Sequence, residues 1–197
     1  MRESIHKYFQ VGIIQWMSYP KRDSMESLKA ICADDFFDAI ELKGYGEKNA
    51  EAKALLEQSH LKVCYGAQPR LLGPKLNPNA IDEEERKKAE ATLIEAVDEA
   101  EYLGAKGIAF LAGKWDDITK DQSYEQLLKT TRAVCSYAAS KSMNVECEVF
   151  DFDMDKVTEY ARMRNPKLDI FPICARTGEG VDAWCDWLRR QVNAWQA

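Results

Sequence analysis

Runs of apolar residues alternate along the chain with segments of helical periodicity. The apolar runs have the length of buried β-strands and lie at 11–16, 36–42, 61–66, 107–111, 145–150 and 168–174. Helix-like segments separate them, at 24–33, 49–59, 82–103, 123–140, 155–163 and 181–195. Repeated strand–helix units of this kind predict a parallel sheet whose faces are both covered. The predicted fold class is α/β with six parallel βα units, as a partial TIM-barrel-like sheet or an open doubly wound one.

The ends of several elements are marked by particular residues. Asp82 precedes three glutamates and is expected to cap the helix that follows, because its carboxylate can accept hydrogen bonds from free amides of the first turn. Gly104 is a good signal for the end of that helix. The connection 67–81 contains three prolines and a glycine, which predicts a loop rather than a helix.

Composition limits the classes of function. The chain has 197 residues, 46% of them hydrophobic, which suffices for one α/β domain over 1–197. A net charge of −6 without a basic patch argues against nucleic-acid binding. No run approaches the roughly 20 apolar residues of a membrane span, and the polar residues 1–10 do not resemble a signal peptide. We therefore expect a cytoplasmic protein with no membrane partner and with six reduced, buried cysteines.

Several short motifs occur in one order over the first three quarters of the chain, and together they resemble bacterial xylose-isomerase-like barrels of the sugar-phosphate isomerase/epimerase type. The resemblance implies a TIM-barrel fold and an active site at the carboxyl ends of the strands. The motifs are Val63-Cys64-Tyr65-Gly66-Ala67-Gln68-Pro69, Leu76-Asn77-Pro78-Asn79, Leu103-Gly104-Ala105, Ala109-Phe110-Leu111-Ala112-Gly113-Lys114 and Glu146-Cys147-Glu148-Val149-Phe150-Asp151.

This resemblance implies roles for individual side chains. Glu148, which ends the fifth strand, matches the first carboxylate that holds a divalent metal in the family, and it is both a metal ligand and a catalytic candidate. Glu41, Gln68 and Gln15 end or follow other strands and are further catalytic candidates around a small sugar or sugar phosphate. Lys114 could line the same opening. Magnesium, manganese or cobalt would suit such chemistry by polarising a hydroxyl and a carbonyl.

A simpler interpretation of Glu148 is a leftover carboxylate that faces solvent at an open strand end. The family's later metal ligands come from strands six to eight, of which the sequence offers a replaced sixth and no others. The only histidines are His6 and His60, and His60 immediately precedes the third strand, at the opposite end from the chemistry. One strand-end carboxylate does not make a metal site, so on this interpretation no cofactor is bound.

A second set of motifs lies in the last quarter of the chain and resembles the C-terminus of the nickel-hydrogenase maturation GTPases. The turn at 174–180 corresponds to the guanine-contacting loop of that family, with Cys174 where serine is usual. The resemblance implies nucleotide contacts by Ala175, Thr177, Gly178, Glu179 and Gly180. The motifs are Asp153-Met154-Asp155-Lys156-Val157, Arg164-Asn165-Pro166, Ile170-Phe171-Pro172, Ala175-Arg176-Thr177-Gly178-Glu179-Gly180, Ala183-Trp184 and Asp186-Trp187-Leu188.

Other parts of a GTPase are missing from the sequence. It contains no G-x-x-x-x-G-K-[ST] phosphate loop and no Asn-Lys-x-Asp guanine motif. Nothing would then cradle a triphosphate or place magnesium. The alternative interpretation of 174–180 is a strand-to-helix turn that uses its glycines for positive backbone angles.

The two resemblances meet near residue 153, which divides the domain into an isomerase-like segment, 1–153, and a GTPase-like segment, 154–197. Three functions remain open: a chimeric or truncated scaffold without turnover, a weak metal-dependent sugar isomerase or epimerase, and a guanine-nucleotide-binding remnant. A six-stranded sheet has two unpaired edges, which predicts a homo-oligomer. An apolar stripe on the final helix is expected to pack on the sheet, and comprises Trp184, Leu188, Val192 and Trp195.

Overall fold

The computed structural model describes residue 6 and residues 10–114, 117–148, 153–174 and 177–196. Within these residues, five parallel strands form one sheet in the order β1-β2-β3-β4-β5. The strands are β1 (Gly12–Ile14), β2 (Ala39–Leu42), β3 (Lys62–Gly66), β4 (Gly107–Leu111) and β5 (Asn144–Glu148). The helices are α1 (Gln15–Ser18), α2 (Ser24–Cys32), α3 (Asn49–Glu57), α4 (Gln68–Leu72), α5 (Glu83–Tyr102), α6 (Lys120–Ser140), α7 (Met154–Arg164) and α8 (Val181–Gln196).

The α/β class with a parallel sheet is confirmed, and the strand order decides between the two predicted architectures. Each strand pairs with the next one along the chain, so the order never reverses. Because parallel crossovers are right-handed, an order without reversal places every connecting helix on the same face of the sheet. A doubly wound sheet needs a reversal point. The sheet is therefore of the TIM-barrel type, and it is open within the described residues.

The prediction of a sixth strand was wrong. Residues 168–174 are all described and form neither a strand nor a helix. Pro172 lies inside this segment and cannot donate a ladder hydrogen bond. The amide of Cys174 is also unavailable to a sheet, since it donates to the carbonyl of Glu179 at 3.0 Å. The apolar composition of the segment suggested a strand, but neither Pro172 nor Cys174 offers an amide hydrogen for bonding to a neighbouring strand.

The expectation that both sheet faces are covered was also wrong. Ile40 and Leu42 in β2 are fully buried, whereas Glu41 between them is only partly buried. The same alternation appears in β3, where Val63 and Tyr65 are buried and Cys64 is exposed. Successive strand residues point to opposite faces. One face therefore packs into the core with the helices. The other, which would line a barrel, is only partly covered: Glu41 and Cys64 on it reach solvent, whereas Leu111 on it is buried. It is called the open face below.

The same one-sided packing corrects the prediction of buried cysteines. Three of the six, Cys64, Cys135 and Cys147, are exposed, and the other three are only partly buried. None of the six, all of which are described, is in a disulfide. Although Cys147 is exposed as a residue, desolvation of its thiol group raises the pKa to about 11, which keeps the thiol protonated near neutral pH.

Helix ends follow the sequence with two exceptions. Asp82 caps α5 by accepting hydrogen bonds from the amides of Glu84 and Glu85, and Gly104 follows that helix with φ at +83°. One exception is α1, which begins at Gln15, inside the predicted strand 11–16. The other is α4, which forms at the start of the predicted loop because Pro69 lies in its first turn. There a proline costs no hydrogen bond and its fixed φ favours the helix.

The chain divides into two compact units, 1–150 and 151–197. The first unit contains the sheet and a core cluster in which Tyr65, Phe110 and Leu93 are fully buried. The second contains α7, the segment 165–180 and α8. The division lies close to the predicted segment boundary at 153/154. The grouping of both segments into one domain stays a prediction.

In the second unit, none of the residues whose burial is described is buried. Its best-defined contact joins Phe171 and Trp187, whose ring centroids are 5.4 Å apart. The indole of Trp187 also donates to Asp169 Oδ2 at 2.7 Å. Along the whole described chain, no helix has the length and hydropathy that a membrane crossing requires.

Candidate active site

Three of the predicted catalytic side chains meet at the carboxyl ends of the strands. Glu41 lies in β2, Gln68 begins α4 just after β3, and Glu148 is the last residue of β5. Gln68 Nε2 donates to Glu148 Oε1 at 2.5 Å and lies 3.5 Å from Glu41 Oε1. One side-chain amide thus bridges two carboxylates that are more than a hundred residues apart in the sequence.

The register of the sheet explains why these residues share one face. Glu41 pairs with Cys64, and Gly66 lies two residues further along β3, on the same face. Gly66 pairs with Ala109, which lies two residues before the partner of Glu148 in β4. The open face of the sheet therefore carries both carboxylates, and α4 places the Gln68 amide between them.

Gly66 and Trp16 complete the site, and neither was predicted from the sequence. A Cβ atom on Gly66 would overlap the Trp16 ring and would lie 2.5 Å from Gln68 Oε1 and 2.7 Å from Glu41 Oε1. The site therefore requires glycine at this position, and Trp16 forms one wall. A glycine that ends a buried strand next to a strand-end glutamine is a signal that could have been used.

Burial and like charges perturb Glu41. Burial raises the pKa of the Glu41 carboxyl, the hydrogen bond from Gln68 partly lowers it, and the charges of Glu148 and Glu146 raise it further. A carboxyl whose pKa moves toward neutrality is suited to accept and return a proton. Gln68 Oε1 is buried and has no hydrogen-bond partner among the described residues. Such a buried oxygen calls for a partner that the described residues do not supply, such as a water molecule or an ion.

The structure does not bring Gln15 into this group. Its Nε2 donates to the carbonyl of Ser24 at 2.6 Å and to Ser27 Oγ at 2.9 Å, and its Oε1 accepts from Tyr45 at 2.6 Å. These contacts give the buried amide a structural role in joining α1, α2 and the β2 loop. Its catalytic role stays a prediction. Lys114 lines a separate cavity, discussed below.

The site fits a divalent metal in part. Glu41, Glu148 and Gln68 Oε1 would offer a hard cation three oxygen donors, the kind that magnesium and manganese prefer. Among the described residues, however, no group of three or more His, Cys, Asp or Glu side chains is placed to hold a metal ion. Water and substrate would have to supply the remaining ligands.

The nucleotide-contact candidates of the second unit lie in a turn before α8. Gly178 and Gly180 have φ of +78° and +75°. Gly178 N donates to the carbonyl of Cys174 at 2.8 Å, and Glu179 N lies 3.3 Å from Thr177 Oγ1. These amides are engaged within the turn itself. The remaining candidate, Ala175, lies outside the described residues.

A one-way parallel sheet with carboxylates at its strand ends defines a barrel-type scaffold, and comparison identifies the family. A family model described as a xylose isomerase-like TIM barrel matches residues 30–165. The match covers more than half of the chain, so the chain belongs to the xylose isomerase-like TIM barrel family.

Solved structures share the fold at low sequence identity. A D-tagatose 3-epimerase-like protein superimposes with a TM-score of 0.59 at 15% identity, over 71% of this chain and 52% of the other. A D-psicose 3-epimerase crystallised in the presence of D-fructose gives 0.55 at 16% identity, over 70% and 51%. A xylose isomerase domain protein from Planctomyces limnophilus gives 0.55 at 16% identity, over 83% and 63%. The chain thus spans about half the length of the first two.

A short part of the chain is similar to hydrogenase maturation factor HypB. The HypB of Cupriavidus necator is 51% identical over 37 residues, which are 19% of this chain and 10% of HypB. The HypB of Escherichia coli K12 is 44% identical over 41 residues, or 21% and 14% of the two chains. These partial matches show a local likeness, and the chimeric interpretation built on them is a proposal.

Proposed function

We propose that the chain binds a small sugar or sugar phosphate at the Glu41–Gln68–Glu148 site and performs weak, metal-assisted isomerase or epimerase chemistry there. The observation that carries this proposal is the Gln68 amide between two strand-end carboxylates on the open face. The substrate class is supported by structural neighbours named for D-psicose 3-epimerase with D-fructose and with D-tagatose.

The proposed chemistry is a proton transfer at the carbon next to a sugar carbonyl. Glu41, with its raised pKa, takes this proton. Its return to the adjacent carbon, as a hydroxyl proton passes between the two enediol oxygens, isomerises the sugar. Epimerisation instead needs a second acid, for which Glu148 is the neighbouring candidate, to protonate the same carbon from the opposite face. Gln68 holds the two carboxylates in place, and the absence of a side chain on Gly66 leaves room beside them. Glu148, with Gln68 Oε1, would hold a divalent metal, which polarises the carbonyl when bound.

Hydrogen exchange provides a sensitive test, because it detects single proton transfers even when turnover is slow. The purified chain is incubated with D-fructose or D-tagatose in D2O that contains Mn²⁺. The Mn²⁺ is then removed, and deuterium at the carbon next to the carbonyl is measured by NMR. We expect incorporation above buffer that Glu41→Gln and Glu148→Gln abolish. Glu84→Gln, which removes an exposed carboxylate from α5, is the matched control. Incorporation that survives both site variants would refute the assignment.

A second candidate is a chimeric or truncated scaffold without turnover. It is supported by the incomplete set of metal-binding side chains among the described residues and by the local likeness to HypB. On this proposal the carboxylate pair binds a sugar without converting it. Sugar binding by calorimetry, without any deuterium incorporation, would favour this candidate over the first.

The chimera itself has a direct test in the proteome. Trypsin cuts after Lys141 and Lys156 and nowhere between them, so one peptide, 142–156, spans the proposed junction. Detection of this peptide by mass spectrometry in cells that carry the gene would establish that the two segments are made as one chain. Detection of flanking peptides at similar abundance without it would count against the junction.

A further inference from the structure

A second cavity lies beside the carboxylate site. It encloses about 570 Å³ between α4, the loop that follows it and the end of β4. This volume is within the range typical of small-molecule sites. Its walls are mostly apolar, and its charged side chains are both lysines; the residues that matter here are Leu71, Leu76, Pro78, Leu111, Lys75 and Lys114.

The charged side chains that line this cavity are both cationic. No aspartate or glutamate is among its described lining residues. Neither Lys75 nor Lys114 forms an ion pair with any described residue. Two unpaired cations above an apolar floor attract an anionic group, whose binding the adjacent low-dielectric wall strengthens.

The backbone holds one of these lysines in place. Asn77 Oδ1 accepts a hydrogen bond from the Lys114 amide at 3.3 Å. The preceding Gly113 has φ at +96°, and a Cβ there would overlap Asn77 Oδ1 and approach Asn79 Oδ1 at 2.5 Å. Glycine is therefore required for this close approach between the β3 and β4 loops. The contact fixes the position of the Lys114 backbone, from which its side chain extends.

The cavity adjoins the proposed catalytic group on two sides. Leu111, which lines it, is the register partner of Glu148, and neighbouring strands lie about 4.8 Å apart. Leu71, on its other wall, follows Gln68 by three residues in α4, or about 4.5 Å along a helix. A sugar held at the carboxylates could therefore extend one end into this cavity.

We propose that Lys75 and Lys114 form the subsite for the anionic end of the substrate, which makes the substrate a sugar phosphate or a sugar acid rather than a neutral sugar. This assignment rests on the proposed function for the other half of the ligand. The shared chemistry is an oxyanion, phosphate or carboxylate, bound by two ammonium groups.

Isothermal titration calorimetry at low ionic strength tests the subsite without requiring turnover. The probes are D-fructose 6-phosphate, D-gluconate, inorganic phosphate and neutral D-fructose. We expect at least one charged sugar to bind roughly tenfold or more tightly than D-fructose. The double variant Lys75→Gln/Lys114→Gln should abolish that preference. Lys87→Gln, which removes an exposed positive charge from α5, should preserve it.

The outcomes separate the subsite from the catalytic proposal. A preference for D-fructose 6-phosphate identifies phosphate as the anion, and one for D-gluconate identifies carboxylate; either supports the subsite. Phosphate binding that the double variant loses, in a protein without proton exchange, leaves the subsite standing and removes the isomerase proposal. Equal affinity for charged and neutral sugars, an unchanged preference in the double variant, or no binding of any probe would overturn the subsite.

Discussion

The two compact units differ in how they treat apolar side chains. The first buries a continuous cluster that includes Phe110 with no exposed surface. In the second, no residue of described burial is buried, and Met163 and Trp195 leave 72% and 67% of their surface exposed. Yet the motifs of the second unit, which resemble the hydrogenase maturation GTPases, lie closer together in the sequence than the isomerase-like motifs of the first. A segment of under fifty residues has too little interior to bury its apolar side chains. A close sequence resemblance to a known family therefore does not imply that the segment forms a core.

Truncation of one aromatic side chain in each unit should separate them most clearly. Phe110→Ala removes a fully buried ring and should lower the free energy of unfolding by about 3–5 kcal/mol. Phe171→Ala removes a partly buried ring of the second unit and should cost about 1 kcal/mol. Urea denaturation followed by circular dichroism measures both. Equal losses would show that the second unit has a core that its side-chain exposure does not reveal.

Two arginines, one in each unit, give a second contrast. Arg86 is 4% exposed and contacts Glu83, Glu90 and the hydroxyl of Thr130, so Arg86→Ala removes charge-assisted hydrogen bonds together with buried packing and should cost about 3 kcal/mol. Arg189 pairs with Asp186 on α8 but is 71% exposed, and Arg189→Ala should change stability by less than about 0.5 kcal/mol. The same denaturation experiment compares them. A large effect of Arg189→Ala would contradict the exposed position of this ion pair.

Glu41 in the carboxylate site should make the stability of the fold depend on pH. Burial raises the pKa of Glu41 in the folded chain. A carboxyl with a raised folded-state pKa stabilises the fold below its unfolded pKa, near 4.5, and loses that contribution as the pH rises through the folded value. Glu41→Gln should therefore raise the melting temperature at pH 7 to 8 relative to the wild type. It should have little effect at pH 4, where the wild-type carboxyl is protonated.

Melting curves at both pH values, by circular dichroism, make this comparison. Glu84→Gln serves again as the control, since its carboxylate is exposed and its removal should not give a pH-dependent gain. A Glu41→Gln variant that is less stable than the wild type at pH 7 would mean that the carboxylate is held by contacts that outweigh its burial.

The sequence alone predicted the alternation of elements and three of the grouped site residues. Glu41, Gln68 and Glu148 could be predicted because carboxyl ends of parallel strands meet at one edge, whatever the exact strand bounds. Trp16 could not, because it lies in α1, a helix that the sequence did not predict, and meets Gly66 from a distant part of the chain. Gly66 was overlooked, although a glycine that ends a strand beside Gln68 was a usable signal. The absent sixth strand shows the opposite failure: apolar composition was weighed above the missing donor of Pro172.

Self-association should be a property of the sheet and not of the second unit. Within the described residues, β1 and β5 are the outer strands of the sheet, and an unpaired edge offers hydrogen-bonding groups to another chain. We expect sedimentation equilibrium at tens of micromolar to show species heavier than the 22.5 kDa chain. Cys147→Lys, which adds a charge to the exposed β5, should reduce this mass, whereas Trp195→Ala on α8 should not. A strictly monomeric wild type would contradict the prediction.

Guanine nucleotide should have the smallest effect of all. In the GTPase-like turn, the amide of Gly178 donates to the carbonyl of Cys174, and that of Glu179 lies within reach of Thr177 Oγ1. Backbone amides already used in this way cannot also hold a base, and the sequence has no phosphate loop to add affinity. Equilibrium dialysis should therefore find no GDP bound at millimolar ligand. Saturable GDP binding that Thr177→Ala weakens would contradict this prediction. It would mean that the second unit retains a nucleotide-binding site although none of its residues of described burial is buried.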